Sequence, residues 1–171
     1  MHIDNQWIHI NKLLNSDTLK DWDSFKVSPY FYRITTWNPA TNGLRYFKIL
    51  LYNLAIQLTP QQLNFLSNIK NRSVGNPINV TIEGEELCYD YLQAVYEITT
   101  LFDSMDLNNK NILEIGGGYG RTCHAILSNV NCKSYTIVDI EEMLGVSRAY
   151  LKKVLDPLLY KKIKFIGIED F

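Results

Sequence analysis

The stretch "NILEIGGGYGRTCHAIL", residues 111 to 127, constrains the fold of this chain more than any other. Ile112 to Ile115 is a short apolar run typical of a buried strand, and Arg121 to Val130 repeats apolar residues at helical spacing. Between the two lie the glycines Gly116, Gly117, Gly118 and Gly120. Glycine inside a regular element costs roughly 0.5–1 kcal/mol relative to alanine, so this density indicates a sharp turn from strand to helix.

Further strands and a helix follow at regular spacing. The pattern predicts strands over Tyr135–Ile140 and Ile163–Ile168, with a helix over Glu141–Leu155 between them. Alternating strands and helices indicate a parallel sheet with right-handed crossovers. The predicted fold class is therefore α/β, with three parallel strands between about residues 111 and 168. Because a doubly wound sheet usually has about six strands, we expect this fold to be incomplete at its C-terminal side and the chain to be part of a longer protein.

The region before the first of these strands is predicted to be mainly helical, with helices over Arg45–Leu58, Pro60–Asn71 and Glu85–Ser104. Thr59 and Gln62 are spaced as a capping box at the start of the second helix. The segment "NRSVGNPIN" is typical of a loop. Aromatic residues are frequent before residue 40 and are expected to pack in the core rather than to stack on a ligand: Trp7, Trp22, Phe25, Tyr30, Phe31, Tyr32 and Trp37.

Composition excludes several classes of protein. The chain has 17 basic and 18 acidic residues and a formal net charge of -1, which does not fit a nucleic-acid binder. Its longest apolar run, Ile49 to Ile56, is far shorter than the roughly 20 residues that a membrane span needs. Cys88, Cys123 and Cys132 form no C-x-x-C pair and fit buried, reduced thiols. We therefore expect a cytoplasmic protein.

A strand that runs through glycines into a helix can bind a nucleotide, because the helix N-terminus offers free N–H groups. The dinucleotide pattern G-x-G-x-x-G fails here, since its third position from Gly116 is Arg121, and the Gly-Lys-Ser/Thr of a P-loop is absent. The observed pattern is Glu114-x-Gly116-x-Gly118-x-Gly120, with Asp139 nineteen residues further on. A carboxylate at the end of the second strand can accept hydrogen bonds from both hydroxyls of a ribose.

These residues resemble the first two motifs of class I S-adenosylmethionine-dependent methyltransferases, an acid-x-Gly-x-Gly-x-Gly loop and an acid that ends the second strand. The segments "LEIGGGYGR", "YTIVDIEEML" and "AYL" are similar, more narrowly, to the bacterial sugar O-methyltransferases. Ile140 and Glu141 depart from the leucine and proline of that family, whereas Glu142 keeps its acid. The resemblance covers residues 75 to 171 well and residues 1 to 74 only loosely.

The resemblance implies an enzyme, an S-adenosylmethionine-dependent methyltransferase that acts on a hydroxyl of a sugar or glycan. It also implies two regions, a helical, aromatic-rich part over residues 1–104 and the first half of a Rossmann-like cofactor-binding domain over 105–171. Its cofactor-binding residues would be Glu114, Gly116, Gly117, Gly118, Gly120 and Asp139. The sequence identifies no catalytic base and no metal cluster, and it leaves the oligomeric state open. The alternatives are an NAD(P)-dependent oxidoreductase, which Asp139 would also suit, and a catalytically inactive fragment.

The residues around the loop allow more than one interpretation. Asp139 could instead cap the following helix, and Glu114 could face a neighbouring loop. Tyr119 and Arg121 fit a ligand contact or a solvated surface equally well. His124 lies opposite the apolar stripe of its helix, so we expect a surface histidine rather than a general base. Asp170 follows the third strand, where related enzymes bind the adenine amino group.

Overall fold

The computed structural model describes residues 23–27 and 43–171 of the 171-residue chain. Phe25 is among them, and it is buried as expected, with 1% of its surface exposed. The other N-terminal aromatic residues for which core packing is predicted lie outside the described residues: Trp7, Trp22, Tyr30, Phe31, Tyr32 and Trp37.

The described residues form helices and strands in an order that changes character at residue 111. The first part contains a 3-10 turn at Phe25–Val27, helices α1 (Leu44–Ala55) and α2 (Pro60–Asn68), strands β1 (Asn79–Ile82) and β2 (Glu85–Cys88), and helix α3 (Tyr89–Ser104). The second part contains β3 (Asn111–Ile115), α4 (Arg121–Asn129), β4 (Ser134–Asp139), α5 (Glu141–Val154), α6 (Pro157–Tyr160) and β5 (Ile163–Gly167). The short helix α6 is an addition to the predicted elements.

The second part confirms the predicted α/β class. Strands β3, β4 and β5 form a three-stranded parallel sheet in that order. Each predicted strand agrees with an observed one to within a residue at either end. Ile115 pairs with Val138, and Asp139 pairs with Gly167, so the carboxyl ends of the three strands are level with one another.

The prediction of a helix beginning at Glu85 was wrong for its first four residues. Glu85–Cys88 is strand β2, which pairs antiparallel with β1. Glu83 and Gly84 join the two strands with positive φ angles of 52° and 84°. Two successive positive φ angles favour a tight hairpin turn, and glycine at the second position adopts such an angle without steric cost. The helix therefore begins only at Tyr89.

Helix α2 confirms the predicted capping box. The Thr59 hydroxyl accepts from the Gln62 backbone N–H, and the Gln62 side chain accepts from the Thr59 N–H. The helix ends at Asn68 rather than Asn71. The apolar stripe of this segment predicts Leu63, Leu66 and Ile69 to face inward; Leu66 and Ile69 are buried, whereas Leu63 is 47% exposed.

The hydrophobic core is one cluster that both parts of the chain share. Phe47 and Leu51 of α1 belong to it, as do Tyr91 of α3, Cys123 of α4 and Tyr150 of α5. The free cysteines Cys88, Cys123 and Cys132 are all buried, as predicted. The helical part and the α/β part are therefore packed together around common side chains.

The parallel sheet is covered unequally on its two faces. Ile112, Ile163 and Phe165 pack against the core on one face. On the other face Leu113 is 51% exposed and Ile115 is 68% exposed. Parallel sheets are usually buried on both faces, so this open apolar face departs from the usual arrangement.

Across the residues that the structure describes, none of the helices has the length and apolar character that spanning a membrane would require.

The capping box gives a direct test of the fold. We expect Thr59→Ala to lower the free energy of unfolding by about 1 kcal/mol, because the Gln62 backbone N–H loses its acceptor. Thr100→Ala is the matched control, since that exposed hydroxyl donates to the Tyr96 carbonyl within its own helix and caps no helix. Denaturant unfolding of both variants would measure the difference. Equal stabilities for the two variants would contradict the role of the cap.

Candidate functional site

The predicted site residues lie together at the carboxyl edge of the parallel sheet. The glycine loop, residues 116–120, leaves β3 there and enters α4, whose N-terminal cap is Gly120. Asp139 ends β4 beside the loop. Gly167 ends β5 in register with Asp139. Backbone N–H groups, a carboxylate and a helix N-terminus therefore meet at one edge, which is where ligands bind in open α/β sheets.

Two of the four glycines are required by packing. A Cβ at Gly117 would lie 2.7 Å from the Ile137 side chain. A Cβ at Gly120 would lie 2.7 Å from Leu151, and the φ of Gly120 is +96°. A larger residue at either position would displace the core beneath the loop.

The other two glycines have open space around them. Gly116 and Gly118 have φ angles of +76° and +56°, and no atom lies within 4 Å of a Cβ built on either. Their backbone is therefore accessible to a ligand from that side. The loop combines a packed side with an open side, so both a tight turn and a ligand cradle account for its glycines.

Asp139 fixes the glycine loop to the start of α5. Its Oδ2 accepts from the Gly118 N–H at 3.0 Å, and its Oδ1 accepts from the Ile140 N–H at 2.8 Å. Burial raises the pKa of Asp139, and these two backbone hydrogen bonds oppose that rise. Each carboxylate oxygen can accept a further hydrogen bond, so the group remains able to bind a ligand hydroxyl.

Glu114 lies beneath the loop rather than on its open side. Its Oε2 accepts from the Tyr135 hydroxyl at 3.0 Å. Burial is the largest cause of its raised pKa, while hydrogen bonds from Tyr135 and Thr122 oppose the rise. A Cβ at Gly117 would approach the Glu114 carboxylate to 3.3 Å. The structure therefore gives Glu114 a supporting position under the backbone of the loop.

Tyr119 and Arg121 both point from the loop towards α3. Tyr119 is 3% exposed, and its hydroxyl donates to Asp90 Oδ2 at 2.8 Å. Arg121 donates to the Asp90 carbonyl at 3.0 Å and forms an ion pair with Glu97 at 3.0 Å. The Tyr119 ring is buried and does not lie on the open side of the loop. This residue therefore joins the loop to the helical part of the chain.

His124 corrects a prediction, because it is buried and not on the surface. It is 1% exposed, and its Nδ1 lies 2.5 Å from the Tyr91 hydroxyl, which in turn lies 2.6 Å from the Tyr150 hydroxyl. Burial lowers the pKa of His124 to about 3, so the ring is neutral in the folded protein. The face of its helix that carries His124 is polar in sequence, but it is covered, because Tyr91 of α3 offers a hydroxyl to the ring and Tyr150 of α5 packs against it.

Asp170 is exposed in the turn that follows β5. Its carboxylate Oδ2 would lie 3.5 Å from a Cβ at Gly167, so it is at the same edge as Asp139. Within residues 23–27 and 43–171, no three His, Cys, Asp or Glu side chains are grouped so that they could hold a metal ion. The described edge thus offers hydrogen-bonding groups suited to a polar organic ligand.

Comparisons with known proteins add little to this description. No protein-family profile matches the chain, and no curated protein matches it. Among solved structures, the chain is similar to a crystal structure of an uncharacterized superfamily protein from Burkholderia thailandensis, with 14% sequence identity and a TM-score of 0.35. The likeness covers 97% of this chain but 37% of that one, so this chain spans well under half of its length. A likeness at this TM-score carries no argument about function.

The two kinds of glycine predict different effects on stability. We expect Gly120→Ala to lower the free energy of unfolding by about 1–3 kcal/mol, because its Cβ meets Leu151 and its φ disfavours a side chain. At Gly118 a Cβ has open space but φ is left-handed, so we expect Gly118→Ala to lower the free energy of unfolding by about 1 kcal/mol. Chemical denaturation of both variants tests this order. A greater loss for Gly118→Ala would contradict the assignment of a packed and an open side.

The burial of His124 predicts a pH dependence of stability. In the unfolded chain His124 has a pKa of about 6.5 and is protonated below that pH. In the folded protein it is protonated only below about pH 3. Stability should therefore fall as pH falls through this window, by up to about 1.4 kcal/mol per pH unit from this group. His124→Asn keeps an acceptor for Tyr91 and removes the titration. The free energies of unfolding of the wild type and of His124→Asn should converge as the pH falls from 7 to 4. Two parallel pH profiles would contradict the burial of His124.

Proposed function

We propose that this chain contributes the S-adenosylmethionine-binding part of an O-methyltransferase. The observation that carries the proposal is the 3.0 Å hydrogen bond from the Gly118 N–H to Asp139 Oδ2. It joins the two motif residues of the predicted site at one sheet edge. The open backbone at Gly116 and Gly118 lies in the same loop.

The residues present suit this cofactor. The open side of Gly116 and Gly118 leaves space that a side chain would otherwise fill, and the N-terminus of α4 lies directly behind it. Asp139 would accept from the ribose hydroxyls with the lone pairs that its backbone hydrogen bonds leave. When bound, S-adenosylmethionine would supply an electrophilic methyl group for transfer to an acceptor oxygen. Glu114, Gly117 and Gly120 would hold the loop from below.

We propose further that the domain is Rossmann-like and that the acceptor site lies outside the described residues. The exposed Leu113 and Ile115 support this, because a parallel sheet of this kind normally has a second covering layer. The acceptor, a hydroxyl of a sugar or glycan, rests on the resemblance of the glycine loop and of the segment around Asp139. No described residue is proposed as the catalytic base.

The NAD(P)-dependent alternative is less well supported by the loop. Arg121 occupies the position where the dinucleotide pattern requires its third glycine. Its side chain is engaged with Asp90 and Glu97. Asp139 fits the ribose of either cofactor, so a binding experiment must separate the two.

Calorimetric titration with S-adenosylmethionine, S-adenosylhomocysteine, NAD and NADP tests the proposal. We expect the two sulfur-containing ligands to bind and the dinucleotides not to bind. Asp139→Asn should weaken binding by about tenfold or more, since it removes the charge and one acceptor that face the ribose. Asp156→Asn is the matched control, because Asp156 also accepts from a backbone N–H, that of Leu158 at a helix start, but lies away from the sheet edge.

The outcomes are distinct. Binding of NAD or NADP alone would overturn the methyltransferase proposal in favour of the oxidoreductase. A folded chain that binds none of the four ligands at millimolar concentration would contradict cofactor binding by this chain and would favour the inactive fragment. Equal weakening by Asp139→Asn and Asp156→Asn would remove Asp139 from the site.

A further inference from the structure

The short segment Asp23–Val27 places a lysine inside the protein. Lys26 is 4% exposed, and its backbone N–H donates to the Gly75 carbonyl at 3.1 Å. Its Nζ donates to the Tyr150 hydroxyl at 3.1 Å and to the Arg72 carbonyl at 3.2 Å. A buried ammonium group is costly unless several partners stabilise it, so this position needs a structural reason.

Aromatic rings surround this ammonium group. Lys26 Nζ lies 5.0 Å from the ring centroids of Tyr91 and Tyr150, 5.3 Å from that of Tyr119 and 5.8 Å from that of Phe25. All four distances are within the range of about 6 Å for attraction between a cation and a ring. We call Phe25, Tyr91, Tyr119 and Tyr150 the aromatic cage.

The rings of the cage also fix one another. Tyr119 packs edge to face on Tyr150 at 5.0 Å and on Phe25 at 5.5 Å between ring centroids. Phe25 packs edge to face on Tyr150 at 5.7 Å. Edge-to-face pairs at these distances are attractive and directional. The cage is thus a preorganised group around Lys26.

Tyr119 connects the cage to the proposed cofactor site. It lies between Gly118, whose N–H donates to Asp139, and Gly120, whose N–H donates to the Gly117 carbonyl at 2.9 Å. Its own hydroxyl donates to Asp90 Oδ2. Because the other four residues of the loop 116–120 are glycines, Tyr119 supplies its only side chain and anchors it in the core.

We propose that Lys26 is a positioning residue for the glycine loop, holding Tyr119 in the aromatic cage so that the loop is fixed in its ligand-binding conformation. The effect of Lys26 on cofactor affinity rests on the proposed function, whereas its effect on the conformation of the loop does not. Lys26 touches neither Asp139 nor the open side of the glycines, so it acts through Tyr119.

Hydrogen–deuterium exchange of the ligand-free protein tests the effect on the loop. Lys26→Met keeps most of the side-chain volume and removes the charge and both side-chain hydrogen bonds. We expect amides 116–121 to exchange about tenfold faster by local opening, while those of β4 stay as in the wild type. Lys153→Met is the matched control, since Lys153 binds Asp23 of the same segment at 3.2 Å in an exposed ion pair.

Titration with S-adenosylmethionine tests the consequence. Lys26→Met should weaken binding by about tenfold, equivalent to about 1.4 kcal/mol, and Lys153→Met should not change it. Tyr119→Leu removes the ring that Lys26 holds, should match Lys26→Met in both measurements and should add nothing in the double variant. It also provides the test if Lys26→Met does not fold.

The results separate the two proposals. If loop exchange is faster in Lys26→Met and Tyr119→Leu but the wild type does not bind S-adenosylmethionine, the positioning role is retained and the proposed function is overturned. Cofactor binding with unchanged loop exchange in Lys26→Met and Tyr119→Leu would overturn the positioning role and retain the function. Uniformly faster exchange throughout the chain, including β4, would show a general loss of stability and would also overturn the positioning role.

Discussion

A buried chain of hydrogen bonds holds the two parts of this protein together. It runs from Lys26 to the Tyr150 hydroxyl, on to the Tyr91 hydroxyl and then to His124, through contacts of 3.1, 2.6 and 2.5 Å. Polar groups buried in an apolar core are costly without partners, and here each group supplies the partner of the next. These residues come from the N-terminal segment, α3, α4 and α5. This series of hydrogen bonds therefore forms only when all four elements are in place. The α/β unit therefore depends on the helical part for its packing.

The glycine loop depends on this arrangement on one side and on the sheet on the other. Tyr119 anchors the loop in the aromatic cage, whereas Asp139 holds the Gly118 N–H from the end of β4. The loop is held at both places by the protein's own groups. A loop fixed in this way would lose little conformational entropy on binding the proposed cofactor, so we expect the surrounding structure to contribute to affinity mainly by preorganisation.

The sequence predicts the local features of this structure and not the distant ones. Strand and helix periods identify β3 to β5 and their helices, and Asp139 is found because it lies nineteen residues after Gly120 in one βαβ unit. The hairpin at Glu83 was missed because its strands have only four residues each and the second leads directly into a helix. His124 was misplaced because the two rings that pack against it, Tyr91 and Tyr150, lie 33 residues before it and 26 after it, and no period links them.

The same limit explains why Lys26 carries no signal in the sequence. A lone lysine in an aromatic, weakly periodic segment is indistinguishable from a surface lysine until the rings of Tyr91, Tyr119 and Tyr150 are brought around it. Local motifs therefore report which ligand a loop is suited to bind, whereas the groups that hold the loop come from distant parts of the chain. Under the proposed function, the glycines and Asp139 define the first property, and the aromatic cage with its lysine determines the second.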